Sequence, residues 1–413
     1  SYGTFRFPLG TWGQSYYAGL AEGFLGGRLG MAHPPPPELA RLANPYDMNA
    51  RGDLPVLWDA SYFEGKYYLY FSPVPVVLFY VPVRLIASAY PSDELAATFF
   101  ASLSFLILAA LLRRARPKQL PLWLWILLLG VGNVIPYVLV ASMFYQVAIA
   151  CAMAFTAAWA YSLLRFFETT STRWAIAMGA FLGLAIATRP NLAVLLLVQL
   201  IVLFRHRRAI VPVLAPLVAI ACALAVYNYA RFRSPTEFGV SYQIARVPMK
   251  AQDLCGVCGA GEAMRLANHA THYVFWAPLF YGRFPYIAVQ KHRLDPEVSY
   301  PGGPEPVAGF APITPLLLVG TAFAVLLGFR ARGTYLVVAG WLVLLGLAAC
   351  WWITARYTLD FLGLLLAGSI LCVEEGLSFL GVRRLRWICA LLAIYSIAVG
   401  LLLPFSRGAE FLR

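Results

Sequence analysis

Charge is scarce in this chain. Asp, Glu, Lys and Arg make up 12% of its 413 residues, about half the share of an ordinary soluble domain. Against 61% hydrophobic residues and a mean hydropathy of +0.70, that deficit excludes a soluble multi-domain enzyme, a disordered chain and a disulfide-stapled secreted module. Several chemical signatures are missing as well. There is no P-loop, no GxSxG and no HExxH. Gly259-Ala260-Gly261 has Met264 where a dinucleotide fingerprint needs its third glycine, and no βαβ context surrounds it. No Rossmann-like segment exists to hold a nucleotide sugar.

What is present is a series of charge-free apolar runs near 18 residues long. They are continuous, whereas a barrel strand alternates over about ten residues. Lipid leaves no other way to satisfy the backbone than helices or closed barrels, so the sequence predicts an all-α polytopic membrane protein. We place ten spans near 95–112, 119–140, 147–165, 174–188, 191–204, 210–229, 312–329, 334–352, 359–376 and 387–404. The two short spans meet at Arg189-Pro190, where proline disfavours helix for the residue before it. That predicts two helices joined by a tight turn.

The net charge of +13 invites a nucleic-acid partner, but position argues against one. The basic residues fall in short clusters between spans: Arg113, Arg114, Arg116 and Lys118; Arg205, Arg207 and Arg208; Arg330 and Arg332; Arg383, Arg384 and Arg386. Such clusters orient a membrane protein and meet anionic lipid headgroups. With all four in the cytoplasm the ten spans alternate without contradiction. The outer side then receives a first loop (1–94) with juxtamembrane helices, the turn near Ser142–Gln146, the Arg189 turn, a large loop (230–311), the 353–358 turn and a tail (405–413). The membrane parts are 95–229 and 312–404. Residues 73–89 are apolar but carry Pro73, Pro75, Pro82 and Arg84, and read as a juxtamembrane or re-entrant piece. The chain opens at Ser1 without an initiator Met or signal peptide, and a long polar stretch precedes the first span, so a further transmembrane helix is expected upstream.

Candidate chemistry gathers on the outer side. Trp58-Asp59-Ala60-Ser61-Tyr62-Phe63-Glu64-Gly65-Lys66-Tyr67-Tyr68-Leu69-Tyr70-Phe71 places two carboxylates and a lysine among seven aromatics. An interfacial belt explains the tyrosines. It does not explain Asp59, suited to a general base in an aromatic pocket, or Lys66, suited to a phosphate. Asp47 in Asn44-Pro45-Tyr46-Asp47 is a second carboxylate, or a turn cap. Arg189 either snorkels or holds a lipid phosphate, and it follows Gly179, Gly183 and Ala185, a spacing typical of close helix packing. Arg231, Glu237 and Tyr242 suggest a polar-aromatic platform or a solvated loop start. Arg356 and Asp360, four apart, either pair on one helix face or free Arg356 for a phosphate. The spans hold almost no ionisable residues; Asn133 and Gln199 are the polar exceptions.

Five cysteines (Cys151, Cys222, Cys350, Cys372, Cys389) read as packing residues in or near spans. Cys255 and Cys258, with His269 and His272, form C-x2-C-x10-H-x2-H. The histidine spacing is short for zinc, and an oxidising compartment favours a disulfide, so a metal ranks below a disulfide or free thiols there. No cofactor is required by the pattern, and a divalent metal stays a candidate.

Asp59–Pro75, the Gly-Leu-Ala-x-Ala-Thr-Arg-Pro run of 183–190, Asn228–Gln243 and Arg356–Asp360 together resemble the GT-C fold, and the chain is similar to uncharacterised bacterial members of it. The resemblance implies a GT-C-like helical bundle and an inverting glycosyltransferase. The donor would be a sugar on polyprenyl phosphate, the acceptor an envelope glycan or lipid, and the setting the outer face of a bacterial inner membrane. The fold usually carries an acid early in its first outer loop, where Gln14 stands here, so either the base falls to Asp59 first, then Asp47 or Glu22, or the chain is not a standard transferase. Lys66, Arg189, Arg231 and Arg356 would stabilise the phosphate, with Tyr68, Glu237 and Tyr242 around the substrate. The competing expectation is a lipid or polysaccharide transporter or flippase, which needs a polar path through the midplane; the scarcity of intramembrane charge argues against it.

Overall fold

The structure is a computed structural model and describes residues 15–140, 142–245, 260–291, 305–350 and 353–406. It is mostly helical. The first segment holds α1 (Tyr16–Leu25), a single turn α2 (Met48–Arg51), a hairpin of β1 (Ser61–Phe63) and β2 (Lys66–Tyr68), and α3 (Val81–Ala87), which continues a π-helical turn over Val76–Tyr80. Then follow α4 (Asp93–Ala115), α5 (Leu122–Gly130), α6 (Ile135–Leu139), α7 (Phe144–Thr169), α8 (Thr172–Thr188), α9 (Leu196–Arg205) and α10 (Ile210–Phe232). The large loop contributes α11 (Ala260–Phe275) and two small antiparallel pairs, Leu279–Phe280 with Ile287–Ala288 and Gln290–Lys291 with Pro306–Val307. The chain finishes with α12 (Phe310–Ile313), α13 (Leu316–Leu327), α14 (Arg332–Ala348), α15 (Thr358–Leu380) and α16 (Arg383–Leu402).

Among the described residues six helices are long and apolar enough to cross a membrane: Asp93–Ala115, Leu122–Leu139, Phe144–Thr169, Arg207–Phe232, Ala355–Leu380 and Arg383–Phe405. The other four expected spans fall on shorter apolar helices, Thr172–Thr188, Pro190–Arg205, Leu316–Arg330 and Arg332–Ala348. The chain is an integral membrane protein by this measure. The helix over Val76–Ala87 is about 18 Å long, well short of a hydrocarbon core of about 30 Å.

The bundle is organised around α7 and α15. Their apolar windows are 89% buried, against 11% for α10, whose Val211, Val218 and Val226 stay exposed, as a lipid-facing helix requires. Helices approach closely where glycine removes a Cβ. A Cβ on Gly179 would lie 2.0 Å from the Val213 carbonyl oxygen of α10, and one on Gly320 would lie 2.2 Å from Ser369 Cβ of α15.

Asn133 and Gln199 have local partners. Asn133 sits where one apolar run breaks into α5 and α6: its Nδ2 donates to the Leu128 and Leu129 carbonyls at 3.1 and 2.9 Å, and its Oδ1 accepts from the Ile135 amide at 2.9 Å. Gln199 accepts from the Trp159 indole at 3.0 Å. At the first expected turn, α8 ends at Thr188, Arg189 is extended, and a 3-10 turn over Pro190–Leu195 leads into α9.

The basic clusters gather at one end of the bundle. Arg114 of α4 and Arg165 of α7 both bond Glu168, and Arg332 of α14 approaches it. Arg205 bonds Tyr335 of α14. The α4–α5 link docks on Glu374 near the end of α15, whose carboxylate accepts from the amides of Lys118, Gln119 and Leu120 and from the Trp125 indole at 2.6–2.9 Å. The opposite end carries the hairpin, α1, α3 and α11.

Candidate functional site

The β1–β2 hairpin turns through Glu64 and Gly65, both with positive φ (46° and 74°), as a tight two-residue hairpin demands. Its root is Asp59, also left-handed at φ 60°, a conformation Asp tolerates better than most residues. The backbone there is pinned to the loop after α10: the Asp59 amide donates to the Ile244 carbonyl, and the Ile244 amide to the Ala60 carbonyl, each at 2.9 Å. Arg51 supports the same loop by donating to the Ala245 carbonyl at 2.6 Å.

Held this way, the Asp59 carboxylate accepts two bonds from distant segments. Oδ1 receives Gln243 Nε2 at 2.9 Å, and Oδ2 receives the hydroxyl of Tyr145 at the start of α7. A carboxylate has about four acceptor sites, so two donors leave capacity for a third group. The Arg356 guanidinium lies 4.7 Å from the centroid of the Tyr145 ring. One tyrosine therefore touches both the carboxylate of the first segment and the arginine that precedes α15.

A second cation stands beside the first. The Arg189 guanidinium is 5.2 Å and that of Arg356 5.6 Å from the Tyr357 ring. Arg189 Nη2 donates to Asp360 Oδ2 at 2.7 Å, and Asn191 Nδ2 reaches the same oxygen at 3.2 Å. Arg356 instead donates to Glu305 at 2.7 Å. The expected pairing of Arg356 with Asp360 along one helix face is therefore corrected. Arg356 lies in the 3-10 turn Ala355–Tyr357, ahead of α15, and each partner finds a counter-charge from another segment. Arg189 Nε and Asp360 Oδ1 are buried and make no hydrogen bond among the described residues. Asp59, Tyr70, Tyr145, Arg189, Arg356 and Tyr357 are all half-buried, so the group is not sealed in the core. Burial, then the Asp59 charge and the Tyr145 and Tyr357 hydroxyls, push the Tyr70 hydroxyl well above its ordinary value. Burial and Asp59 push Tyr16 up to about 12.

Other expected site residues stand elsewhere. Lys66 is exposed at the hairpin tip, opposite Phe63, at the far end from Asp59. Arg231 is buried; it donates to the Leu69 carbonyl at 2.8 Å and Asn228 Oδ1 at 2.7 Å and lies 4.1 Å from the Tyr227 ring. Its work is to tie the end of α10 to the hairpin. Tyr68 and Tyr242 pack on Phe232 at 5.2 and 5.6 Å, and Glu237 accepts from the Gly239 amide at 2.6 Å. These side chains build the support behind Gln243. Asp47 caps α2 through the Asn49 amide at 2.9 Å. Glu22 accepts from the Tyr90 hydroxyl.

Cys255, Cys258 and Gln14 lie outside the described residues. Of the histidines suggested with that pair, His269 points Nδ1 at the Ala348 and Cys350 carbonyls at 3.0 and 3.1 Å, and His272 Nδ1 lies 2.7 Å from the Asn268 carbonyl. Among the described residues no group of three His, Cys, Asp or Glu side chains is placed to hold a metal ion.

Sequence reasoning passed over Tyr145, Gln243, Glu305, Asn191 and Tyr357. Tyr145 had one signal: it belongs to a short turn placed on the same side as Asp59. A further carboxylate, Asp93, opens α4 and accepts from Ser15 Oγ and the Tyr80 hydroxyl, each at 2.6 Å, which fixes α1 and α3 to the bundle. No protein-family model, curated protein or solved structure matches this chain.

Proposed function

We propose that the chain is an inverting, GT-C-like glycosyltransferase that moves a sugar from a polyprenyl-phosphate donor to a glycan or lipid acceptor. One observation carries this reading: Asp59 and Arg356, far apart in sequence, meet at the two faces of Tyr145's chemistry, its hydroxyl and its ring. A base and a cation that share one tyrosine suit displacement at an anomeric carbon with a phosphate leaving group. Asp59 takes the proton of the acceptor hydroxyl as its oxygen bonds to the anomeric carbon. The bond to the donor's phosphate oxygen breaks, and the electron pair leaves with polyprenyl phosphate. Arg356, with Arg189 behind Tyr357, stabilises that developing charge; such preorganised stabilisation is commonly the largest share of an enzyme's rate enhancement. Asp59 is favoured over Asp47 because Asp47 already serves its helix as a cap.

The orientation follows from charge. Arginine clusters gather at the other end of the bundle, and an excess of Lys and Arg marks the cytoplasmic side. The site then faces outward, and a bacterial inner membrane is the setting that the resemblance suggests. The test is transfer from synthetic polyprenyl-phosphate sugars by the reconstituted protein, together with mass spectrometry of envelope glycans and lipid-linked sugars in cells with and without it. An Asp59→Asn protein with undiminished transfer overturns the assigned base. Lipid translocation without transfer overturns the enzyme reading.

A further inference from the structure

At the opposite end of the bundle from Asp59, a cavity of about 190 Å³ opens between α4, α7, α14 and α15. We infer that this cavity is a binding site for the phosphate headgroup of an anionic phospholipid. The inference does not rest on the transferase reading.

The charge count is the first argument. Arg114, Arg165 and Arg332 face Glu168 and Glu375 across the cavity, which leaves one positive charge in excess (three minus two). A phosphodiester carries one negative charge and balances it. The second argument is donor capacity. Glu168 receives Nε of Arg114 at 2.9 Å and Nη1 of Arg165 at 2.5 Å, with Arg332 Nη1 at 3.9 Å. Each guanidinium has five N–H donors, so most are unspent. The side chains of Arg114 and Arg332 are 51% and 50% exposed, whereas Arg165 is fixed by its stack on Trp174 at 5.2 Å. Two half-exposed forks and one stacked fork thus border the opening, in the planar geometry that suits phosphate oxygens.

The third argument is the vertical gradient. Leu111 lies one helical turn deeper than Arg114, Leu164 one turn deeper than Glu168, and Leu371 one turn deeper than Glu375; all line the cavity. Charged groups sit at the rim and apolar ones toward the bundle's middle, as the headgroup and first acyl carbons of a lipid are arranged. Tyr145 and Glu168 of the same helix are 23 residues apart, about 35 Å, so the rim falls one membrane thickness from Asp59 and its partner Tyr145. Basic pockets between transmembrane helices on the cytoplasmic side bind anionic headgroups in this way. The volume is below the roughly 300 Å³ of pockets that enclose whole organic ligands, which suits one headgroup with its chains outside in the bilayer.

The experiment is native mass spectrometry of the full purified chain with phosphatidylglycerol, phosphatidylcholine or inorganic phosphate. The expected result is retention of phosphatidylglycerol several-fold above phosphatidylcholine. That preference should be lost in an Arg114→Gln/Arg332→Gln protein and kept in an Arg383→Gln/Arg384→Gln protein, which alters a different basic cluster. Equal retention of the two lipids, or an unchanged preference in the first variant, overturns the proposal. So does competition by inorganic phosphate at concentrations comparable to the lipid, because the occupant is then a soluble anion. Photolabelling of the unaltered chain by a diazirine phosphatidylglycerol is independent of how variants fold. Label on the peptides that contain Arg114 or Arg332 supports the site, and label only elsewhere overturns it.

Discussion

Arg189 and Asp360 form an ion pair at 2.7 Å between the end of α8 and the first turn of α15, with the Asp360 side chain fully buried. The pair joins one of the two most buried helices of the bundle to the turn that aims Arg189 at Tyr357. Removing one partner strands a charge in a dry place, a loss of about 3–5 kcal/mol. Asp360→Asn should therefore lower the melting temperature in detergent sharply. A joint Arg189→Met/Asp360→Leu protein should regain most of that stability while losing transfer, which separates a fold defect from a site defect.

Tyr145→Phe deletes one hydroxyl and keeps the ring under Arg356. The hydrogen bond lost is made to a charged group and contributes about 1.5–3 kcal/mol to stability, so the melting temperature should fall by a few degrees, and the proposed transfer should fall as well, by less than for Asp59→Asn. Asp59→Asn should cost about 10²–10⁴ in rate, as loss of a general base does. Steady-state transfer assays on both proteins make the comparison.

Glu374 accepts from three consecutive backbone amides and the Trp125 indole. Glu374→Leu leaves those donors without a partner, at about 1–3 kcal/mol for each that stays buried. The expected outcome is loss of about 3 kcal/mol or more, read by denaturation in detergent, and early proteolytic cleavage in the 116–121 link.

Gly179→Val places a Cβ 2.0 Å from the Val213 carbonyl, backbone that has no soft direction in which to move. It should abolish recovery of monodisperse protein in size-exclusion chromatography. Gly346→Ala is the control: nothing among the described residues lies within 4 Å of its Cβ position, and it should behave as the unaltered chain.

Burial pushes His269 below its ordinary value, only partly offset by the carbonyls its ring faces. The folded ring resists a proton that the unfolded chain accepts near pH 6.5. Stability should thus be full above about pH 6.5, fall as pH drops through that value, and level off below the folded value, because the unfolded state binds more protons in that window. His269→Asn should flatten the curve of melting temperature against pH between about 7.5 and 5.

Membrane residence was legible because an apolar run long enough to cross lipid is a local property of the chain. The same holds for the packing of Gly179 and Gly183, where spacing alone names the face, and for the break at Arg189-Pro190, which proline dictates. Pairing was not legible. The i, i+4 spacing of Arg356 and Asp360 suggested a private salt bridge, and the bundle assigned each to a different partner. Lys66 and Arg231 look like equals of Arg189 in sequence. A hairpin register sends the first to an exposed tip, and the Leu69 carbonyl and Asn228 claim the second.

Composition and periodicity were enough to determine that this chain is a helical membrane protein with its polar segments gathered between spans, since each short stretch meets lipid or water on its own terms. Which carboxylate meets which arginine was decided only in three dimensions. The directions of a left-handed Asp59, a tyrosine at the head of α7 and an arginine ahead of α15 depend on contacts among segments that share no local pattern.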